Sequence, residues 1–343
     1  MRAVVQYGIR DIRLGELPDP DPGPREVLVR IRAVTICASD LHMYAEGNVG
    51  GVSWDQPFIP GHEAAGVIED SNRTDLAPGT PVVLDPAIPC HSCDMCARGS
   101  FHLCRDLKFC DLPPVDGAMR ELIAWPADRM FEVPEPVDIV EAPLLEPLCI
   151  AVHALELASQ PQDAAVVIVG CGAIGLFTLQ MARIRGARRI FATDPVPERL
   201  AVARELGAEV TIQVGAKDPA REIMLATDGG GVDIAFEAAG PPEAVQQCLD
   251  VVGPGGEVVV IGIPSEDAYR FRASQLRRYE LALRFVRRQN ENYPEAIELV
   301  RQGAVRLGPV LTHRFPMQRA REAFELAHEK SDGAVRVAVT FGE

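Results

Sequence analysis

The run "VVIVGCGAIG", residues 166–175, narrows the possible folds more than any other stretch. Gly170, Gly172 and Gly175 stand at G-x-G-x-x-G spacing, after an apolar strand pattern and at the start of an apolar helix pattern. That context makes the string a dinucleotide-binding turn. Gly170 permits the tight turn, Gly172 admits a diphosphate to the backbone, and Gly175 lets helix and strand pack closely. Free N–H groups and the helix dipole then favour the anion. Strand and helix patterns keep alternating through "RIFATD", "VPERLAVARELG", "VTIQV", "VDIAFEAAG", "PPEAVQQCLDVV" and "EVVVIGI". Alternation of this kind predicts an α/β, doubly wound parallel sheet with helices on both faces.

Asp194 ends the second strand, 19 residues after Gly175. A carboxylate there accepts ribose hydroxyls and repels a 2′-phosphate, which favours NAD over NADP. Asp194 also fits as an N-cap ahead of Pro195. Arg199 is expected as a second ribose contact. Residues 164–182 carry no charge and have the hydropathy of a membrane span. Three glycines and Gln180 fit a span poorly, and a buried strand running into a buried helix gives the same profile.

"PCHSCDMCARGSFHLC" packs four of the nine cysteines into a lobe at residues 89–105, as C-x2-C-x2-C-x7-C. Disulfides suit small secreted domains, whereas this chain is 47% hydrophobic and long enough to bury its own core. An odd cysteine total pairs poorly, and a redox pair needs two thiols where four stand here. Two-residue spacers bring neighbouring sulfurs together around tetrahedral zinc. Cys90, Cys93, Cys96 and Cys104 are therefore expected to hold a structural zinc, with His91 and His102 as rival ligands. A closed four-thiolate shell leaves no place for substrate.

Outside the α/β stretch, the first 150 residues alternate short apolar runs with Pro and Gly, which predicts a β-rich domain with no long helix before Glu146. The tail carries helix patterns at "YPEAIELVRQG" and "QRAREAFELAHEK" and a final strand "AVRVAVTF". A net charge of −15 argues against nucleic acid and anionic membranes as partners. The chain opens without a leader pattern, which with free thiols points to the cytoplasm.

Two further stretches carry ligand-type residues: "CASDLH" with Cys37, Ser39 and His42, and "GHE" with His62 and Glu63. Singly these read as a core cysteine, a turn histidine and a surface charge. Together with the cysteine lobe, "VGCGAIG" and "LEPLCIAVHA", they resemble the zinc-dependent medium-chain dehydrogenase/reductase family over nearly the whole chain. The resemblance implies a GroES-like catalytic domain built from both chain ends (residues 1–150 and 283–343) and a Rossmann NAD domain between them (151–282). It implies a catalytic zinc on Cys37, His62 and Glu63, with Glu146 bound directly or through water. It implies a proton relay through Ser39 and His42. It also places the cofactor along Ala173 and Ile174 and against Gly262, Ile263 and Val286. A catalytic zinc keeps an open position for substrate.

Within that family the chain is most similar to the polyol branch, the sorbitol and xylitol dehydrogenases. Phe109, ahead of a Pro-Pro turn, and Arg288 fall where that branch contacts substrate. Met43 and Gln289 depart from it, standing where those enzymes carry tyrosines. The reaction implied is reversible, NAD-linked oxidation of a secondary alcohol to a ketone. Threonine-like amino alcohols, cyclitols and vicinal diols stand as rival substrates. A zinc-free quinone reductase would lack the ligands, and a non-catalytic crystallin-like protein would have no use for the relay. The family also implies a homotetramer, or next a homodimer.

Overall fold

The computed structural model describes residues 1–53, 57–71, 75–159, 162–264 and 268–342. The chain forms two compact units: Met1–Glu146 with Tyr293–Glu343, and Pro147–Asn292.

The first unit is built on a seven-stranded sheet. Its path runs Met130–Glu132, Pro81–Leu84, Glu63–Asp70, Glu26–Thr35, Arg336–Thr340, Leu311–Pro316, and Leu122–Pro126 pairs additionally with Glu26–Thr35. The long strand "EVLVRIRAVT" alternates buried and part-exposed residues, with Val27, Val29 and Ile31 inward. That period of two is what a half-buried strand requires. Toward Thr35 the alternation gives way to continuous burial, and it is here that Thr35 pairs with Glu63 in register. Ile31, Ile68, Leu84, Ile123, Phe324 and Val339 lie in the core. Each such side chain contributes about 1.5–3 kcal/mol when fully buried. Tyr293 is wholly buried, stacks on Phe131 at 4.7 Å and donates its hydroxyl to Leu84 O at 2.8 Å.

The second unit is a six-stranded sheet, all parallel. Its order is Val210–Gln213, Arg189–Asp194, Ala165–Val169, Val232–Glu237, Val252–Val260, Ala282–Phe285. Numbered within the unit this is 3-2-1-4-5-6, the Rossmann order. The strand Ala165–Val169 is buried along its length because its sequence has no polar face. Ala173–Ile184 follows as a separate helix, so the uncharged 164–182 stretch is a strand, a turn and a helix. Among the described residues no helix is long and apolar enough to cross a membrane.

Three sequence expectations need correction. The 282/283 boundary cuts through the sixth strand, Ala282–Phe285, whose hydrogen bonds to Val252–Val260 keep it in the second unit. The early boundary at 150 falls instead between Glu146 and Pro147, inside the helix Leu145–Leu157. The β-rich portion also contains a nine-residue helix, Ala38–Glu46. Its start carries Cys37 at the N-cap, outside the usual capping set, and Asp40 supplies the bond instead by accepting from Cys37 N at 2.7 Å.

Candidate active site

In the cysteine lobe, the sulfurs of Cys90, Cys93, Cys96 and Cys104 all lie within 4.8 Å of one another, and none is in a disulfide. Hydrogen bonds, first from Ser92, hold the Cys90 thiol down at about 6, while burial pushes Cys96 up to about 12. Four soft donors at this separation fit tetrahedral zinc. His91 packs against Phe101 with ring centres 5.5 Å apart, and neither it nor His102 belongs to the donor cluster.

A second cluster sits in the first unit. Cys37, His62 and Glu63 bring one donor atom each within 4.8 Å of the others. The strand pairing explains the meeting: Cys37 lies just past Glu26–Thr35, and His62 just before Glu63–Asp70, whose Glu63 lies opposite Thr35. Glu63 is fully buried. Thr35 Oγ1 donates to its Oε2, and Arg336 Nη2 lies 3.2 Å from its Oε1. Arg336 is itself buried and donates from Nη1 to Ile36 O at 2.7 Å.

Glu146 stands outside the three-donor set, yet it is 2% exposed and its Oε2 makes no hydrogen bond. Burial, opposed by His62 and aided by Glu63, pushes its carboxyl up to about 8. Burial alone would lower the pKa of His62, but hydrogen bonds to Asp111 and Cys37 outweigh it and hold the imidazole well above its usual range. Burial, reinforced by the Asp111 charge, likewise lifts Asp40. Glu146 Oε2 has no hydrogen bond and Glu63 Oε1 faces Arg336 alone; with the Cys37 thiol and the His62 imidazole these carboxylates make a donor set that fits a zinc ion.

Ser39 and His42 lie three residues apart on the helix Ala38–Glu46, on one face of it. His42 Nδ1 is 3.2 Å from Glu46 Oε1, and its side chain remains 23% exposed. Phe109 packs against the ring of His62 at 5.3 Å. Tyr44 is buried against Phe324 at 5.3 Å, so it belongs to the core of the unit.

In the second unit, Gly170 has φ +97°, and a Cβ there would meet Ala239 N at 2.8 Å. A Cβ on Gly175 would lie 1.8 Å from Gly170 O. Around Gly172 a Cβ would meet nothing within 4 Å. This open ground sits at the N-cap of the helix Ala173–Ile184, whose first turn holds Ala173 and Ile174, and it fits an anionic diphosphate. Asp194 accepts from Cys171 N and from Val196 N, both at 2.8 Å. The helix N-cap is Val196, so Asp194 ties the glycine turn to the next loop and does not cap the helix directly. Arg199 lies in that helix's first turn, half-buried, where its charge reaches Cys171. Gly262 N donates to Glu237 Oε2 at 3.2 Å, Ile263 is 40% exposed, and Val286 N bonds Val260 O at 2.9 Å. Arg288 takes a left-handed backbone, φ +55°, and neighbouring Gln289 is buried and accepts from Asn292 N at 3.0 Å.

Sequence reasoning missed Thr35, Asp111 and Arg336 and gave Asp40 no role. Arg336 left one signal, a lone charge within the apolar "AVRVAVTF". Asp111 left none.

Comparison with known proteins gives a consistent picture. Residues 23–135 match the family model of the alcohol dehydrogenase GroES-like domain, and residues 173–302 match that of the zinc-binding dehydrogenases. The chain is 33% identical to sorbitol dehydrogenase of Bacillus subtilis (strain 168) over 341 residues, covering 99% of this chain and 97% of that protein. It is 33% identical to L-idonate 5-dehydrogenase of Vitis vinifera, covering 96% and 92%. The crystal structure of L-idonate 5-dehydrogenase from Escherichia coli superposes with a TM-score of 0.90 at 28% identity, covering 99% of this chain and 98% of that one.

Proposed function

Because the chain belongs to the zinc-dependent medium-chain dehydrogenase/reductase family, we propose that it is an NAD-linked polyol dehydrogenase. In this reading it reversibly oxidises a secondary hydroxyl of an open-chain polyol or sugar acid to the ketone. The observation that carries this is the Cys37–His62–Glu63 cluster in a chain that also presents the Gly172 turn with Asp194 beside it. Relatives named sorbitol and L-idonate dehydrogenase support the substrate class.

In the forward direction the substrate hydroxyl gives up a proton and its carbon gives up a hydride, leaving ketone, NADH and a proton. When bound, zinc acts as a Lewis acid toward the substrate oxygen and NAD accepts the hydride. The rest falls to the protein. Cys37, His62 and Glu63 would hold the metal, and Glu146 would add a carboxylate directly or through water. Arg336 offsets the charge that two buried carboxylates would otherwise concentrate there. Ser39 Oγ accepts the proton as it releases its own toward His42, which passes one on to solvent. Glu46 holds His42 Nδ1, which leaves Nε2 for the transfer. Asp194 receives the ribose hydroxyls, with Arg199 beside it, and its charge disfavours a 2′-phosphate. The contact of Phe109 with His62 supports it as part of the substrate wall; Arg288 is retained on family resemblance alone. The lobe of Cys90, Cys93, Cys96 and Cys104 carries the structural zinc. The nine free cysteines fit the cytoplasm, and family resemblance favours a homotetramer over a homodimer.

The test is NADH formation across polyols, sugar acids, cyclitols and amino alcohols, with metal analysis of the same preparation. Turnover on sorbitol or L-idonate with two zinc per chain is expected. Turnover confined to amino alcohols would overturn the substrate class, and a chain with a single zinc would overturn the metal chemistry.

A further inference from the structure

His62 has two ring nitrogens, and they face different surroundings. Nδ1 lies 2.8 Å from Asp111 Oδ2, which leaves Nε2 for the side of Cys37 and Glu63. Both members of the His62–Asp111 pair are buried, at 6% and 8% side-chain exposure. A second carboxylate, Asp40, stands close enough to complete a cluster with them. Its oxygens are already engaged, however: Oδ2 accepts from Cys37 N at 2.7 Å and Oδ1 from Gly61 N at 3.1 Å. Asp40 thus secures the two backbone segments that carry the ligands, and the bond to the imidazole falls to Asp111.

The segment around Asp111 is shaped for this. Phe109 packs against the His62 ring at 5.3 Å with the planes tilted by 52°, while Asp111 meets the ring's edge. Cys110 N bonds Pro86 O at 2.9 Å, and Leu112 N bonds Phe109 O at 3.0 Å, so the stretch is anchored on both sides of Asp111. Asp111 itself takes φ +71°, a conformation that Asp adopts more readily than most residues. A metal-bound histidine needs its other nitrogen held by an acceptor, which fixes the tautomer and the plane of the ring.

We propose that Asp111 is the positioning residue of the catalytic metal site: by accepting from His62 Nδ1–H it keeps the Nε2 lone pair aimed at the metal and sets how long the metal stays. This rests on reading Cys37, His62 and Glu63 as the metal centre. The test uses Asp111→Gly and Asp111→Asn, since both residues suit a left-handed backbone and so avoid the strain an alanine would add. Metal content, the rate of zinc release to a coloured chelator, and the ligand-field spectrum after cobalt replacement are read on the purified full-length proteins. The cysteine lobe serves as the internal standard. We expect the parent to hold two metals. Asp111→Gly should lose one of them roughly 10- to 100-fold faster, the penalty typical of a lost outer partner, with the other unchanged. Its cobalt spectrum should shift. Asp111→Asn, which keeps an acceptor oxygen, should release metal at a rate nearer the parent's. Two metals released from Asp111→Gly at parental rates would overturn this inference and leave the metal centre standing. Equal release from both variants would overturn it as well. A parent holding only one metal would overturn the metal centre, and the inference with it.

Discussion

Gly172 and Gly175 belong to one motif and should respond in opposite ways to the same added methyl. At Gly175 the new Cβ would lie 1.8 Å from Gly170 O and 3.3 Å from Ile168 Cγ2. The first of these is a backbone atom within the turn, so the helix or the turn must move. Overpacking of a tight interior costs about 1–3 kcal/mol and sometimes more, and this case belongs at the upper end. At roughly 2–4 °C per kcal/mol for a unit of this size, Gly175→Ala should melt about 6–12 °C below the parent. At Gly172 the backbone is extended, φ −72° and ψ −174°, and the methyl would meet nothing. Alanine gains about 0.4–1 kcal/mol by restricting the unfolded chain. It loses a comparable amount as a poorer N-cap than glycine. Gly172→Ala should therefore melt within a degree or two of the parent, roughly the span of 0.5 kcal/mol. Its methyl would nevertheless occupy the ground a diphosphate needs. NADH binding should weaken by at least about tenfold, or ~1.4 kcal/mol. Calorimetric melting and NADH fluorescence titration read both variants. Parental NADH affinity in Gly172→Ala, or parental melting in Gly175→Ala, would refute the reasoning.

Cys93→Ser should lose one metal and lower the melting temperature or the assembly state while leaving turnover per folded molecule near the parent; unchanged stability with full zinc content would remove the lobe's structural role. The parent should prefer NAD to NADP by at least about tenfold in kcat/KM, ~1.4 kcal/mol, and equal efficiencies would count against Asp194. Asp194→Ala should narrow that gap while losing stability, since Cys171 N and Val196 N are left without their acceptor, at about 1–3 kcal/mol for each group that stays buried. Cys37→Ser should abolish activity and loosen the metal, whereas Glu146→Gln should keep zinc and slow turnover by roughly one to three decades, about 1.4–4 kcal/mol; wild-type turnover in Glu146→Gln would place that residue outside the chemistry.

What could be read from the sequence depended on how far apart the cooperating residues lie. The glycine turn and the cysteine lobe were legible because each is a local spacing that the backbone converts directly into geometry. Cys37, His62 and Glu63 were legible only as a set, since each alone has an ordinary role. Thr35 and Arg336 acquire their role from strand pairing: Thr35 meets Glu63 because Glu26–Thr35 pairs in register with Glu63–Asp70, and Arg336 arrives on the neighbouring strand. Asp111 depends on a left-handed backbone within a short loop, which nothing in its neighbours announces. The second boundary was misplaced for a related reason. The edge strand Ala282–Phe285 is four residues long and carries little periodicity of its own.

The bond between Arg336 and Ile36 joins residues 300 positions apart. On a ribosome adding about 5–20 residues per second, that interval lasts roughly 15–60 s. The six strands of the nucleotide unit are all translated by Phe285. The first sheet must wait for Arg336–Thr340, and until then the Ala33–Thr35 part of one edge of Glu26–Thr35 lacks its partner, Leu122–Pro126 already covering residues 26–30. A nascent chain ending at Phe285 therefore has every strand of its second sheet while its first sheet still lacks Leu311–Pro316 and Arg336–Thr340. The contacts of Arg336 with Ile36 and Glu63 are in this sense among the last that the first unit can make.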